Sequence, residues 1–85
     1  MKDITFQPEA LEALRKMPAK TRDRIMSKIE AYATDPATQA NNVKSLKGYD
    51  AIRLRIGDWR VIMRDGVVID VLRIGPRSKV YKGLK

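Results

Sequence analysis

Arg53, Arg55, Arg60, Arg77 and Tyr81 are the residues of this chain whose types and spacing suit chemistry. Four guanidiniums supply permanent positive charge and planar forks of donors that match phosphate oxygens. Arg53 and Arg55 stand two apart, so on a strand they leave the same face, and a hairpin across Gly57-Asp58 brings Arg60 beside them. Three guanidiniums on one patch repel one another unless an anion lies among them. Tyr81 adds a phenol, which can exchange a proton where a guanidinium barely can. The set suits the grip of a polyanion and leaves open whether that anion is also cut. The plain alternative for each arginine is a solvated sheet face. For Tyr81 it is a ring packed on the core with its hydroxyl at the surface.

The charge distribution favours a site. Residues 1–43 carry seven Lys+Arg against six Asp+Glu, net +1, whereas residues 44–85 carry eleven against four, net +7. Within the basic half the acids Asp58 and Asp65 fall at turns and only Asp70 falls within a strand. A pI near 10.1 points to nucleic acid or an acidic protein as partner, although ribosomal proteins share that composition. The chain has no cysteine and no histidine, which removes disulfides, thiolate nucleophiles, imidazole acid–base chemistry and structural zinc from consideration. No cofactor and no metal are expected. The cytoplasm is the expected compartment, since no signal-like N-terminus is present. Apolar runs such as Val67–Ile69 fall far short of the ~20 residues of a membrane span.

Eighty-five residues suit one domain spanning 1–85, close to the smallest size at which one hydrophobic core sustains a fold. Asp3–Phe6 reads as a short strand ended by Pro8, which suits the first turn of a helix. Leu11, Leu14 and Met17 recur at helical spacing up to Pro18. A second helix follows from Ala19–Thr21, with Ile25, Ile29 and Tyr32 on one stripe and Met26 and Ala33 widening it, until Asp35-Pro36. The stretch to Ser45 reads as a connecting loop. From Ile52 the period changes to two: Ile52, Leu54 and Ile56 alternate with Arg53 and Arg55, and Trp59–Arg64 returns after Gly57-Asp58. Trp59 alternates with Arg60 and is expected on the core side. Asp65-Gly66 makes a second hairpin turn, and Val67–Ile74 reads as a β-branched strand, largely apolar on both faces and expected to have a neighbour on each side, broken by Gly75-Pro76. Arg77–Lys85 is short and basic and is expected to form a last edge strand or ordered tail around Val80-Tyr81. The expected class is α+β: an N-terminal strand, a two-helix antiparallel hairpin, then a three- to four-stranded antiparallel sheet.

Leu46-Lys47-Gly48, the run from Ile52 to Ile62, and Ile74-Gly75-Pro76-Arg77-Ser78-Lys79-Val80-Tyr81 together resemble the RelE/ParE superfamily of type II toxins. The resemblance runs in register over residues 46–81. It implies a RelE-like fold, a cognate antitoxin, and one of two activities. RelE-type members cleave mRNA in the ribosomal A site with basic residues on the sheet, an arginine after the last long strand and a C-terminal tyrosine, positions matched by Arg53, Arg55, Arg60, Arg77 and Tyr81. ParE-type members inhibit DNA gyrase and generally lack the full set. One departure stands out: the first of two lysines that some RelE enzymes place before Arg55 falls on Ala51, so Lys44 or Lys47 would have to supply that charge.

The resemblance thus implies a metal-independent endoribonuclease with Arg60, Arg77 and Tyr81 as catalytic residues and Arg53, Arg55, Lys47 and Lys79 on substrate phosphates. Lys79, Lys82 and Lys85 equally suit a solvated tail. Such a site would use the ribose 2′-hydroxyl as nucleophile and leave the ribosome to orient the message. A gyrase inhibitor and a ribosome-associated RNA-binding module without toxicity are the competing classes.

Overall fold

In the computed structural model, residues 1–82 are described. Strand β1 (Ile4–Phe6) is followed by helices α1 (Pro8–Arg15) and α2 (Ala19–Thr34), then a 3-10 helix at Pro36–Asn42. Strands β2 (Val43–Ser45), β3 (Ile52–Ile56), β4 (Trp59–Asp65) and β5 (Ile69–Pro76) complete the order. The sheet has five strands in the order β1-β5-β4-β3-β2, antiparallel except that β1 runs parallel to β5. The α+β class is as expected: β2–β5 are the antiparallel strands, and the N-terminal strand β1 joins them beside β5. What changes is the segment up to Ser45, expected as a connecting loop, which holds the 3-10 helix and strand β2; β2 pairs with β3 through Val43↔Leu54, Lys44↔Arg53 and Ser45↔Ile52. It hides in a segment with no apolar period, because an edge strand of three residues need bury only Val43 in part.

Both helices lie on one face of the sheet, α1 against β5 and α2 against β3. Pro8 starts α1 at a position where no N–H is required, and Met17-Pro18 ends it. Its buried stripe is Ala10, Leu14 and, just beyond the helix, Met17, while Leu11 faces solvent, contrary to the expected pattern. On α2 the stripe is as read: Ile25, Ile29, Tyr32 and Ala33 are buried and Met26 packs partly buried beside them. They meet Leu54, Ile56, Val61, Met63, Ile69, Val71 and Ile74 from the sheet in one cluster, against which Trp59 packs half-buried. Each large side chain removed from water here contributes about 1.5–3 kcal/mol.

Strand β5 departs most from simple alternation. It begins at Ile69, leaving Val67 and Val68 exposed in the turn, and runs through Gly75 to Pro76 rather than breaking before them. Between Ile62↔Arg73 and Met63↔Val71 the register slips by one residue, so Leu72 is the extra residue of a bulge. Both Val71 and Ile74 can then face the helices, and Arg73 is turned to the opposite face. An unbroken strand would have set Val71 and Arg73 on the same side.

Candidate functional site

The sheet face away from the helices is ordered in cross-strand rows. One row reads Lys44, Arg53, Ile62, Arg73 across β2, β3, β4 and β5, and the next reads Arg55, Arg60, Gly75 across β3, β4 and β5. Directly opposed residues share a face, so the expected neighbours Arg53, Arg55 and Arg60 do meet there. Lys44 stands beside Arg53. Lys47 lies in the turn before β3, at the opposite end of that strand from Gly57-Asp58 and ~13 Å of strand away. Of the two lysines named as stand-ins for the charge absent at Ala51, Lys44 is the one in the cationic row.

The three arginines of the face differ in environment. Arg55 is exposed, with Nη2 donating to Asn42 Oδ1 at 3.3 Å from the end of the 3-10 helix. Arg53 is half-buried, and its Nε is buried without a hydrogen-bond partner. Arg60 is only 8% exposed, which separates it from the solvated grip that the alternation suggests. Its Nη1 donates to Gly57 O at 2.7 Å and to Trp59 O at 2.9 Å, so the guanidinium is folded onto the β3–β4 turn. Gly57 takes φ +59°, a left-handed conformation that suits glycine.

The same turn receives the C-terminal segment. The Arg77 N–H donates to Asp58 O at 2.8 Å, and the chain from Pro76 then turns on itself through Lys79 N–H and Val80 N–H bonds to Pro76 O, both 2.9 Å. This segment is a series of turns rather than an edge strand. Val80 is buried, seated on Gly75, where an added Cβ would lie 3.5 Å from Val80 Cβ. Since Gly75 is the β5 partner of Arg60, Val80 and its neighbour Tyr81 come to the Arg60 end of the face. Tyr81 is 36% exposed, and Arg77 and Lys79 are exposed. Lys85 lies outside the described residues.

Two further arginines reach this region unannounced by the alternation. Arg24 of α2 lies against the turn, its Nη2 3.1 Å from where a Cβ on Gly57 would stand. Arg73 Nη1 donates to Val80 O at 3.1 Å and also to Lys82 O, while its Nε faces Glu9 Oε1 at 3.5 Å. The signal for Arg73 was present in the sequence: it is a charged residue inside the β-branched run Ile69–Ile74, where a second burial face has no place for it. Among the described residues none of Arg53, Arg55, Arg60 and Arg77 forms an ion pair, whereas Arg64 and Arg73 each have a carboxylate. No group of three His, Cys, Asp or Glu side chains among the described residues could hold a metal ion.

Away from this face, Asp65 joins three elements. Lys2 Nζ donates to Asp65 Oδ1 and Tyr32 Oη to Asp65 Oδ2, each at 2.6 Å. These two bonds hold the Asp65 carboxyl below its usual range. Burial, with the bond to the Asp65 carboxylate, pushes the Tyr32 phenol up to about 12.

Residues 4–81 match the family described as ParE toxin of type II toxin-antitoxin system, parDE. The chain is 26% identical over 83 residues to the mRNA interferase toxin RelE of Escherichia coli (strain K12), covering 92% of this chain and 87% of that protein. Among solved structures it superposes on the toxin of the intact E. coli RelBE toxin–antitoxin complex with a TM-score of 0.74 at 22% identity, covering 89% of this chain and 96% of that one. The archaeal RelE–RelB complex from Pyrococcus horikoshii OT3 gives a TM-score of 0.76 at 24% identity, over 93% and 98% of the two chains. The likeness to these structures is one of fold.

Proposed function

Since this chain belongs to the ParE toxin family of type II toxin–antitoxin systems, we propose that it is an endoribonuclease of the RelE kind, cutting messenger RNA in the ribosomal A site. The observation that carries the proposal is the meeting of Arg60 and Arg77 on neighbouring carbonyls of one turn, with Tyr81 on the segment seated across from Arg60. A gyrase inhibitor needs a basic surface, but it does not need a tyrosine on the segment that packs beside Arg60.

In this mechanism Arg55, Arg53, Lys44 and Lys79 hold phosphates of the message. Arg53 has an acceptor to gain: its Nε has no partner, and an unpaired buried donor costs about 1–3 kcal/mol. The 2′-oxygen attacks the adjacent phosphorus as its proton passes to the Tyr81 phenol oxygen, which releases its own proton to water. The bond from phosphorus to the 5′-oxygen breaks, and that oxygen takes a proton from water. The products are a 2′,3′-cyclic phosphate and a 5′-hydroxyl. Arg60, pre-set by the turn, faces charge that gathers on the non-bridging oxygens, and Arg77 stabilises the leaving oxygen. A site with so little proton-transfer capacity relies on the ribosome to orient its substrate, and orientation can contribute about 7–11 kcal/mol. Lys47, far along β3, is an outlying phosphate contact at most.

The partner proposed is a cognate antitoxin encoded as an acidic or amphipathic segment that covers the basic half and folds on binding. Primer extension on a translated message after brief induction tests the function. Cuts phased with codons support it, whereas an intact message with arrested DNA supercoiling transfers the protein to the gyrase-directed branch.

A further inference from the structure

We infer that Arg73 is a positioning residue that latches the C-terminal turn, and with it Arg77 and Tyr81, onto the cationic face. The inference rests on the nuclease reading for its consequence but not for its geometry. The turn from Arg77 to Lys82 is not embedded in the core. Its one buried apolar side chain is Val80, seated on Gly75. Beside the turn lies an open pocket of about 330 Å³, lined by Glu9, Arg73, Gly75, Lys79, Val80 and Lys82 among others. A turn with one buried apolar anchor and an open pocket at its side depends on its polar ties. Arg73 supplies two of them from one nitrogen, to the carbonyls of Val80 and Lys82, which flank Tyr81.

The latch is itself braced. Arg73 is half-buried, with a side chain 23% exposed, and Glu9 in the first turn of α1 faces its Nε at 3.5 Å. The bulge at Leu72 is what delivers this guanidinium to the correct face, at the β5 end of the row that also holds Arg53 and Lys44. With all its observed bonds made inside the protein, Arg73 has a different task from exposed Arg55. It sets where the phenol stands, and small errors in that position are costly, since a displacement of ~1 Å can cost about 10²-fold in rate.

The test replaces Arg73 by Met, which keeps the length of the side chain and removes its donors, and by Lys, which keeps one donor head. Single-turnover cleavage of a ribosome-bound message and amide hydrogen exchange are read on the same preparations. Arg73→Met is expected to raise exchange at the Val80 and Lys82 amides by about tenfold or more and leave β4 protected. It should lower kcat by about 10–100-fold with KM little changed. Arg73→Lys should recover part of both effects. Unchanged exchange, or raised exchange with unchanged kcat, overturns the inference. If the wild type cuts no message at all, the nuclease reading falls by itself, and exchange still decides whether the latch exists.

Discussion

Arg60 and Arg77 are tied to consecutive carbonyls of one tight turn, Arg60 by its side chain to Gly57 O and Arg77 by its backbone N–H to Asp58 O. The β3–β4 turn therefore does more than reverse the chain. It fixes a buried cation from the sheet and the start of the C-terminal segment relative to each other, although 17 residues separate them in sequence.

Changing the turn should damage both at once. Gly57→Ala places a Cβ at positive φ and 3.1 Å from Arg24, so a loss of about 1–2 kcal/mol in urea unfolding is expected, with a loss of cleavage larger than stability explains.

Arg60 and Arg55 should separate stability from binding. Arg60→Met leaves the Gly57 and Trp59 carbonyls without their donor and is expected to cost about 1–3 kcal/mol of stability together with most of the activity. Arg55→Ala, at an exposed position, should change stability by no more than about 0.5 kcal/mol. It should weaken RNA binding and reduce the salt slope by about 1 when affinity is titrated against salt.

How much of this was legible in the sequence differs by residue. The alternation of Arg53 and Arg55 with Ile52, Leu54 and Ile56, and the hairpin that brings Arg60 across from Arg55, are local patterns and are found as read. The burial of Arg60 was missed although its partners, Gly57 O and Trp59 O, are three and one residues away, because alternation assigns a side chain to a face and does not say where its guanidinium folds. The parallel pairing of β1 with β5 joins Ile4 to Ile69 and leaves no short-range mark. Arg73 was marked by its charge inside an apolar run, but its face was not legible, because the bulge breaks the period of two that strand reading relies on.

The Asp65 cluster predicts pH dependence independent of the site. Asp65 has a folded pKa below its ordinary 3.8, so its contribution is present above that value and is lost as pH falls through the lower one. Tyr32 has the opposite sign: its pKa is raised from 10.0 to about 12, so its contribution is present below 10 and lost as pH rises through about 12. Tyr32→Phe should cost about 2 kcal/mol near neutrality, flatten the alkaline limb of a thermal-denaturation series, and leave cleavage unchanged.

Tyr81→Phe keeps the ring and removes the proposed proton acceptor. Since Val80 rather than Tyr81 seats the turn, the variant should melt like the wild type while the rate of message cleavage falls by about 10²–10⁴-fold.

The most direct measurement places purified wild-type protein, free of antitoxin, on ribosomes programmed with a defined message and examines the RNA ends. The account predicts one cut in the A-site codon, a 2′,3′-cyclic phosphate and a 5′-hydroxyl, and near-complete loss of that cut in Tyr81→Phe. An intact message from the folded wild type, or cleavage at the wild-type rate by folded Tyr81→Phe, would contradict it.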